Sequence, residues 1–205
     1  MTKLSPQETR RSSANALKTV YYVIVGLAIT EALRRAFLKE GSFLGWQVFA
    51  RNNLTPTILL FTLLPTICRF VHGASIHLDM ISEKRYKPLY DFFWFFIQAS
   101  LFYLMAVSLQ KPIAFSFLFG FMLLFDAFWL IFLRVKRYIE LSGTEKQWLW
   151  SDFCIVGALL AIYLMDTTMA CIWSAVVILI VAVVATVLDY FLNKSFYFPT
   201  SEGAT

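Results

Sequence analysis

Apolar residues gather into six runs separated by short polar breaks: Thr19 to Leu33, Thr55 to Val71, Phe92 to Leu109, Ile113 to Leu133, Leu149 to Met165, and Thr168 to Leu192. A bilayer core of about 30 Å is crossed by about 20 residues rising 1.5 Å each. Each run therefore reads as a helix suited to lipid. The first is the weakest, being short and ending on Glu31, Arg34 and Arg35. The second holds Pro56 near its start and Pro65 inside it, and an interior proline removes a helical hydrogen bond, which predicts a kink. The expectation is an all-α integral membrane protein of about six transmembrane helices, with four or five spans as the alternative. The links at Gln110 to Pro112 and at Asp166 to Thr167 are short enough to force antiparallel neighbours. Three hairpins follow, pairing span one with two, three with four, and five with six. Residues 1–18 then form a cytoplasmic N-terminal segment, 19–193 the bundle and 194–205 a cytoplasmic tail, disordered beyond Pro199.

Composition agrees with that pattern. Of 205 residues 59% are hydrophobic and 15% charged, where a soluble domain carries roughly a quarter charged. The net charge of +5 comes from clusters in the loops. Lys3, Arg10, Arg11 and Lys18 precede the first span; Lys84, Arg85 and Lys87 follow the second; Lys136, Arg137 and Lys146 follow the fourth; Lys194 follows the sixth. Lys and Arg mark cytoplasmic loops, so both termini should face the cytoplasm of a cell inner membrane. The stretch from Arg34 to Arg51 is basic yet falls outside, unless the aromatic segment Phe43 to Phe49 lies along the interface. Cys68, Cys154 and Cys171 sit in apolar runs without a CxxC, so neither a disulfide framework nor a zinc site is indicated. The first apolar run lacks a signal-peptide cleavage pattern and reads as an uncleaved anchor.

Charges inside these runs are the informative exceptions. With alternating spans, Arg69, His72, Asp91, Asp126, Asp152 and Asp189 fall toward one membrane face, and each costs several kcal/mol in lipid unless paired or wetted. At 100° per residue, His72, Asp79 and Glu83 lie within about 80° of Arg69 on a helix. That stripe suits a wet vestibule, or equally an ordinary boundary between membrane and water. His72 and His77 diverge by about 140°, which argues against a shared metal. Asp126 lies at about the depth of Gln98 on the neighbouring helix, so a bond between them is expected, with Arg69 as an ionic partner; it either lines an ion path or fixes packing. Asp91 and Asp152 read as helix N-terminal caps. Asp189 lies at a helix C-terminus, where a carboxylate is disfavoured, and calls for a partner such as Arg134 or Lys194. Tyr190, Phe196, Tyr197 and Phe198 read as an interfacial belt. No hydrolase, zinc-protease or phosphate-loop motif is present, so neither an enzyme nor a cofactor is expected.

The segment Arg69-Phe-Val-His72-Gly, the following His77-Leu-Asp79, and then Asp91 with Gln98-Ala99 resemble small bacterial multipass proteins of anti-phage defence systems, of the Hailong or Kiwa type. The resemblance covers about a third of the chain. It implies a homo-oligomer, often a tetramer, that forms or gates an ion path or senses infection at the inner membrane. The functional expectation is an oligomeric effector gating an ion path in response to a cytoplasmic ligand or partner. The alternatives are a non-conducting sensor or anchor that recruits a soluble partner, and a small transporter. Pore or gate candidates are Arg69, His72, Asp79, Asp91, Gln98, Asp126 and Asp189. Lys84, Arg85, Lys87, Arg134, Lys136 and Arg137 are candidates for docking a partner protein or an anionic nucleotide or oligonucleotide, though the positive-inside rule alone accounts for them.

Overall fold

The computed structural model of the chain describes residues 5–39, 41–50, 53–83, 88–135, 143–165 and 172–198. Helix α1 spans Pro6–Phe37. Its start is fixed locally: the Ser5 hydroxyl accepts the Glu8 amide at 3.2 Å while the Glu8 carboxylate accepts the Ser5 amide at 2.7 Å. This reciprocal cap satisfies two otherwise unpaired donors, and Pro6 has no donor to lose. From Pro6 onward the polar segment before Thr19 is thus continuous with the first apolar run. Ala14, Tyr21, Val25, Ala28, Ala32 and Ala36 are its buried residues. Their three- and four-residue spacing makes one face, and the small side chains let backbones approach closely. That face packs against α3 and α2.

Glu31 ends the apolar run, held by Arg34 at 2.7 Å and Arg35 at 2.6 Å. A two-stranded hairpin follows, β1 Leu38–Lys39 with β2 Ser42–Phe43. Its turn uses Gly41 at φ +80°, a left-handed conformation that glycine adopts without steric cost. A 3-10 turn over Gly45–Phe49 completes the connection. Phe43, Trp46 and Phe49 all point away from the bundle, Trp46 being 88% exposed, as an interface-lying aromatic segment requires.

Helix α2, Leu54–Glu83, runs unbroken through both Pro65 and Gly73. Then come α3 Pro88–Val107, α4 Pro112–Val135, α5 Gly143–Met165, α6 Ile172–Leu192 and the single turn α7 Lys194–Tyr197. Helices α1, α2, α3, α4 and α6 are long and apolar enough to cross a membrane. The chain is an all-α multipass membrane protein. Within each expected hairpin the helices touch, most fully α1 with α2, yet packing between hairpins is as prominent: α1 rests most on α3, α2 also on α6, and α4 on α5. The interior is filled by Leu59, Leu63, Phe102, Phe115, Phe119 and Met122, all essentially inaccessible.

Candidate functional site

Helix α2 carries Arg69 near its middle, with the side chain turned into the bundle and only 8% exposed. A guanidinium in apolar surroundings is tolerable only when paired and hydrogen-bonded. Its Nε donates to Asp189 Oδ2 at 2.9 Å, and its Nη2 approaches Asp152 Oδ1 at 3.5 Å. Asp189 accepts three further donors: Trp148 Nε1 at 2.6 Å, Asn193 Nδ2 at 2.7 Å and the Tyr197 hydroxyl at 2.6 Å. The turn at Asn193 and the short α7 fold the chain back so that Tyr197 reaches this carboxylate. Burial, and then Asp189 itself, push the Tyr197 phenol well above its ordinary range, which keeps it a donor.

A second carboxyl group meets this centre from α4. Asp126 lies against Asp152 and within the field of Arg69, and its Oδ1 accepts Gln98 Nε2 at 3.2 Å. Gln98 in turn accepts the Tyr21 hydroxyl at 2.9 Å. Two hydrogen-bonded strings therefore meet here, Tyr21–Gln98–Asp126 from α1, α3 and α4 and Asp152–Arg69–Asp189 from α5, α2 and α6. One guanidinium faces three carboxyl groups, so the centre is short of positive charge.

Beside it, a cavity of about 30 Å³ is lined by Arg69, His77, Gln98, Asp126, Trp129 and Tyr197, among others, with room for roughly two waters. His77 packs edge-on against Trp129, ring centroids 4.6 Å apart. Its Nε2 lies 3.7 Å from Asp91 Oδ1, beyond hydrogen-bond range. His77 Nε2, both Asp91 oxygens, Trp129 Nε1 and Asp152 Oδ2 are buried without a hydrogen-bond partner among the described residues. Each such atom costs about 1–3 kcal/mol if left dry, and two of them, on His77 and Trp129, belong to residues that line the cavity, which favours water there.

Several sequence expectations are corrected here. Asp189 is partnered by Arg69 rather than by Arg134 or Lys194. Asp152 is no N-terminal cap, because α5 begins at Gly143 and the residue is committed to Arg69. Asp91 does lie in the first turn of α3, but its oxygens accept no amide hydrogen bond, and its nearest cation-forming neighbour is His77. The expected polar stripe divides among different partners: His72 Nδ1 lies 3.1 Å from the Tyr190 hydroxyl, and Asp79 pairs at the surface with Lys18 at 2.5 Å. Tyr197 is buried rather than interfacial. Of the docking candidates, Arg134 is exposed at the end of α4, while Lys84, Arg85, Lys87, Lys136 and Arg137 lie outside the described residues.

Tyr21, Trp148, Asn193 and Tyr197 were not singled out from the sequence as site residues. Only their hydrogen-bonding groups amid apolar neighbours could have marked them. Compared with protein-family models, curated proteins and solved structures, the chain matches none.

Proposed function

We propose that this chain conducts protons, with the Tyr21–Gln98–Asp126–Asp152–Arg69 cluster inside each copy as the relay at one level of the path. The carrying observation is the gathering of Asp152 and Asp189 around the buried Arg69, with Asp126 beside them, next to a cavity with room for roughly two waters. Chains of Asp, His and water inside spanning helices are the usual construction of proton relays. Size decides between ions: a hydrated metal cation does not fit such a cavity, whereas a proton needs only linked donors and acceptors.

In this reading the bundle has six spans as three hairpins, both termini face the cytoplasm of an inner membrane, and the turn at α7 closes the cytoplasmic end of the path. The acidic groups face one another within one chain, so the path does not require a seam between copies. Assembly as a homo-oligomer, favoured as a tetramer, response to a cytoplasmic partner or anionic ligand, and a role in anti-phage defence enter from the sequence resemblance alone.

The test is proton flux into liposomes that hold the purified full chain and a pH-sensitive dye, driven by a potassium potential. Flux from the unmodified protein, lost in Asp126→Asn at unchanged size-exclusion behaviour, supports the path. A second reading, a non-conducting sensor or anchor, is favoured by the same small cavity, which forms no continuous column of water. Silence in both proteins, with capture of a soluble partner by the loops, selects that reading.

A further inference from the structure

Helix α5 rests chiefly on α4, and α6 chiefly on α2, so α5 and α6 do not close on each other along their length. Between them lies a cleft of about 550 Å³, within the range of about 300–1,000 Å³ typical of small-molecule sites. Its walls are apolar: Ile155 and Ala158 from α5, and Val181, Val184, Ala185 and Leu188 from α6. The small side chains of Ala158 and Ala185 keep it open. One end is different, for there the lining becomes Gln147, Ser151 and Asn193.

Two lysines adjoin that polar end in sequence. Lys146 precedes Gln147 and Lys194 follows Asn193, and both are exposed. The elements that carry them are adjacent, with Trp148 of α5 and Phe196 of α7 in edge-to-face contact at 4.9 Å between centroids. Among the described residues neither lysine is engaged in an ion pair. Among the described residues the one acid in the lining, Asp189, accepts Arg69, Trp148, Asn193 and Tyr197, so its oxygens are engaged within the bundle.

We propose that the α5–α6 cleft binds an anionic phospholipid, with an acyl chain along the apolar walls and the phosphate held by Lys146 and Lys194. An apolar trough that ends in two cations at the level where helices start and stop matches the two halves of such a lipid. The site does not depend on proton conduction, since a non-conducting protein would hold the lipid equally. Its consequence for the centre is position: the bound headgroup lies on the outer side of Asp189, the carboxylate that holds Arg69.

The test uses the full chain in nanodiscs of equal phosphatidylglycerol and phosphatidylcholine, with the lipids retained after detergent release counted by native mass spectrometry. Retained phosphatidylglycerol should exceed phosphatidylcholine by about thirtyfold, the ratio that two lysines at about 1 kcal/mol each supply. In Lys146→Gln/Lys194→Gln the ratio should fall to that of the bilayer, and Ala158→Trp should reduce retention of both lipids. A bilayer ratio in the unmodified protein, or enrichment that survives the double lysine variant, overturns the proposal. So does efficient Cys154-to-Cys154 cross-linking in membranes of a Cys68→Ser/Cys171→Ser protein, because a second copy would then cover the cleft.

Discussion

Arg69 is the residue on which the interior depends, and the cost of removing it can be set against a surface pair of the same chemistry. Arg69→Ala leaves Asp152 and Asp189 buried beside no cation, a change that costs about 3–5 kcal/mol. Lys18→Ala breaks a pair whose acid, Asp79, is 68% exposed, and should cost under about 1 kcal/mol. Unfolding of both variants in the same detergent checks the contrast. Gly73 lines the cavity, and a methyl group there would meet the Tyr197 hydroxyl at 3.8 Å and Trp148 at 3.9 Å, ordinary contact distances. Gly73→Ala should therefore fold as well or better by about 0.5–1 kcal/mol, from helix propensity, while narrowing the space for water and lowering proton flux. Flux undiminished in a folded Gly73→Ala protein would remove the cavity from the path. At this scale the sequence disclosed the Gln98–Asp126 bond, because both residues lie at matching depth on helices joined by a tight turn. It did not disclose the partners of Asp189, since four elements converge on that carboxylate and no spacing along the chain encodes their meeting.

Hydropathy locates what lies in lipid, not where a helix starts. Among the described residues six long helices fall on the six apolar runs, and α1, α2 and α5 extend well into polar sequence. That extension is why Asp152, near the start of an apolar run, sits inside α5 and not at its tip. The Ser5-Pro6-Gln7-Glu8 start of α1 is a legible capping box that an emphasis on apolar runs passes over. Ala28, Ala32 and Ala36 repeat every fourth residue on the buried face of α1, a small-residue seam against α3 and α2. Ala32→Leu should force these helices apart and cost about 1–3 kcal/mol, read as a lowered unfolding midpoint. The reverse exchange at Leu27, 56% exposed on the opposite side, Leu27→Ala, should change stability little. Equal effects at the two positions would mean that α1 packs by another face.

For the whole molecule, composition already fixed the class: too few charges to cover a bundle in water, and apolar runs of spanning length. The gathering of charged groups was also foreseeable in part. Alternating spans bring Arg69, Asp126, Asp152 and Asp189 into register, and the fold turns all four inward. His72 and Asp79 were harder to place, because a helix wheel gives direction but not the neighbour that fills it. The six-span arrangement predicts that reporters at the two ends of the chain and in the loop between α4 and α5 share one side of the membrane. The segment with Trp46 should lie on the other.

The most direct measurement is proton flux through liposomes containing the purified chain, compared between the unmodified protein and Asp126→Asn. The account predicts a potential-driven flux that Asp126→Asn abolishes while the protein remains folded and of the same assembled size. An equal flux in both proteins, or none in either, would contradict it.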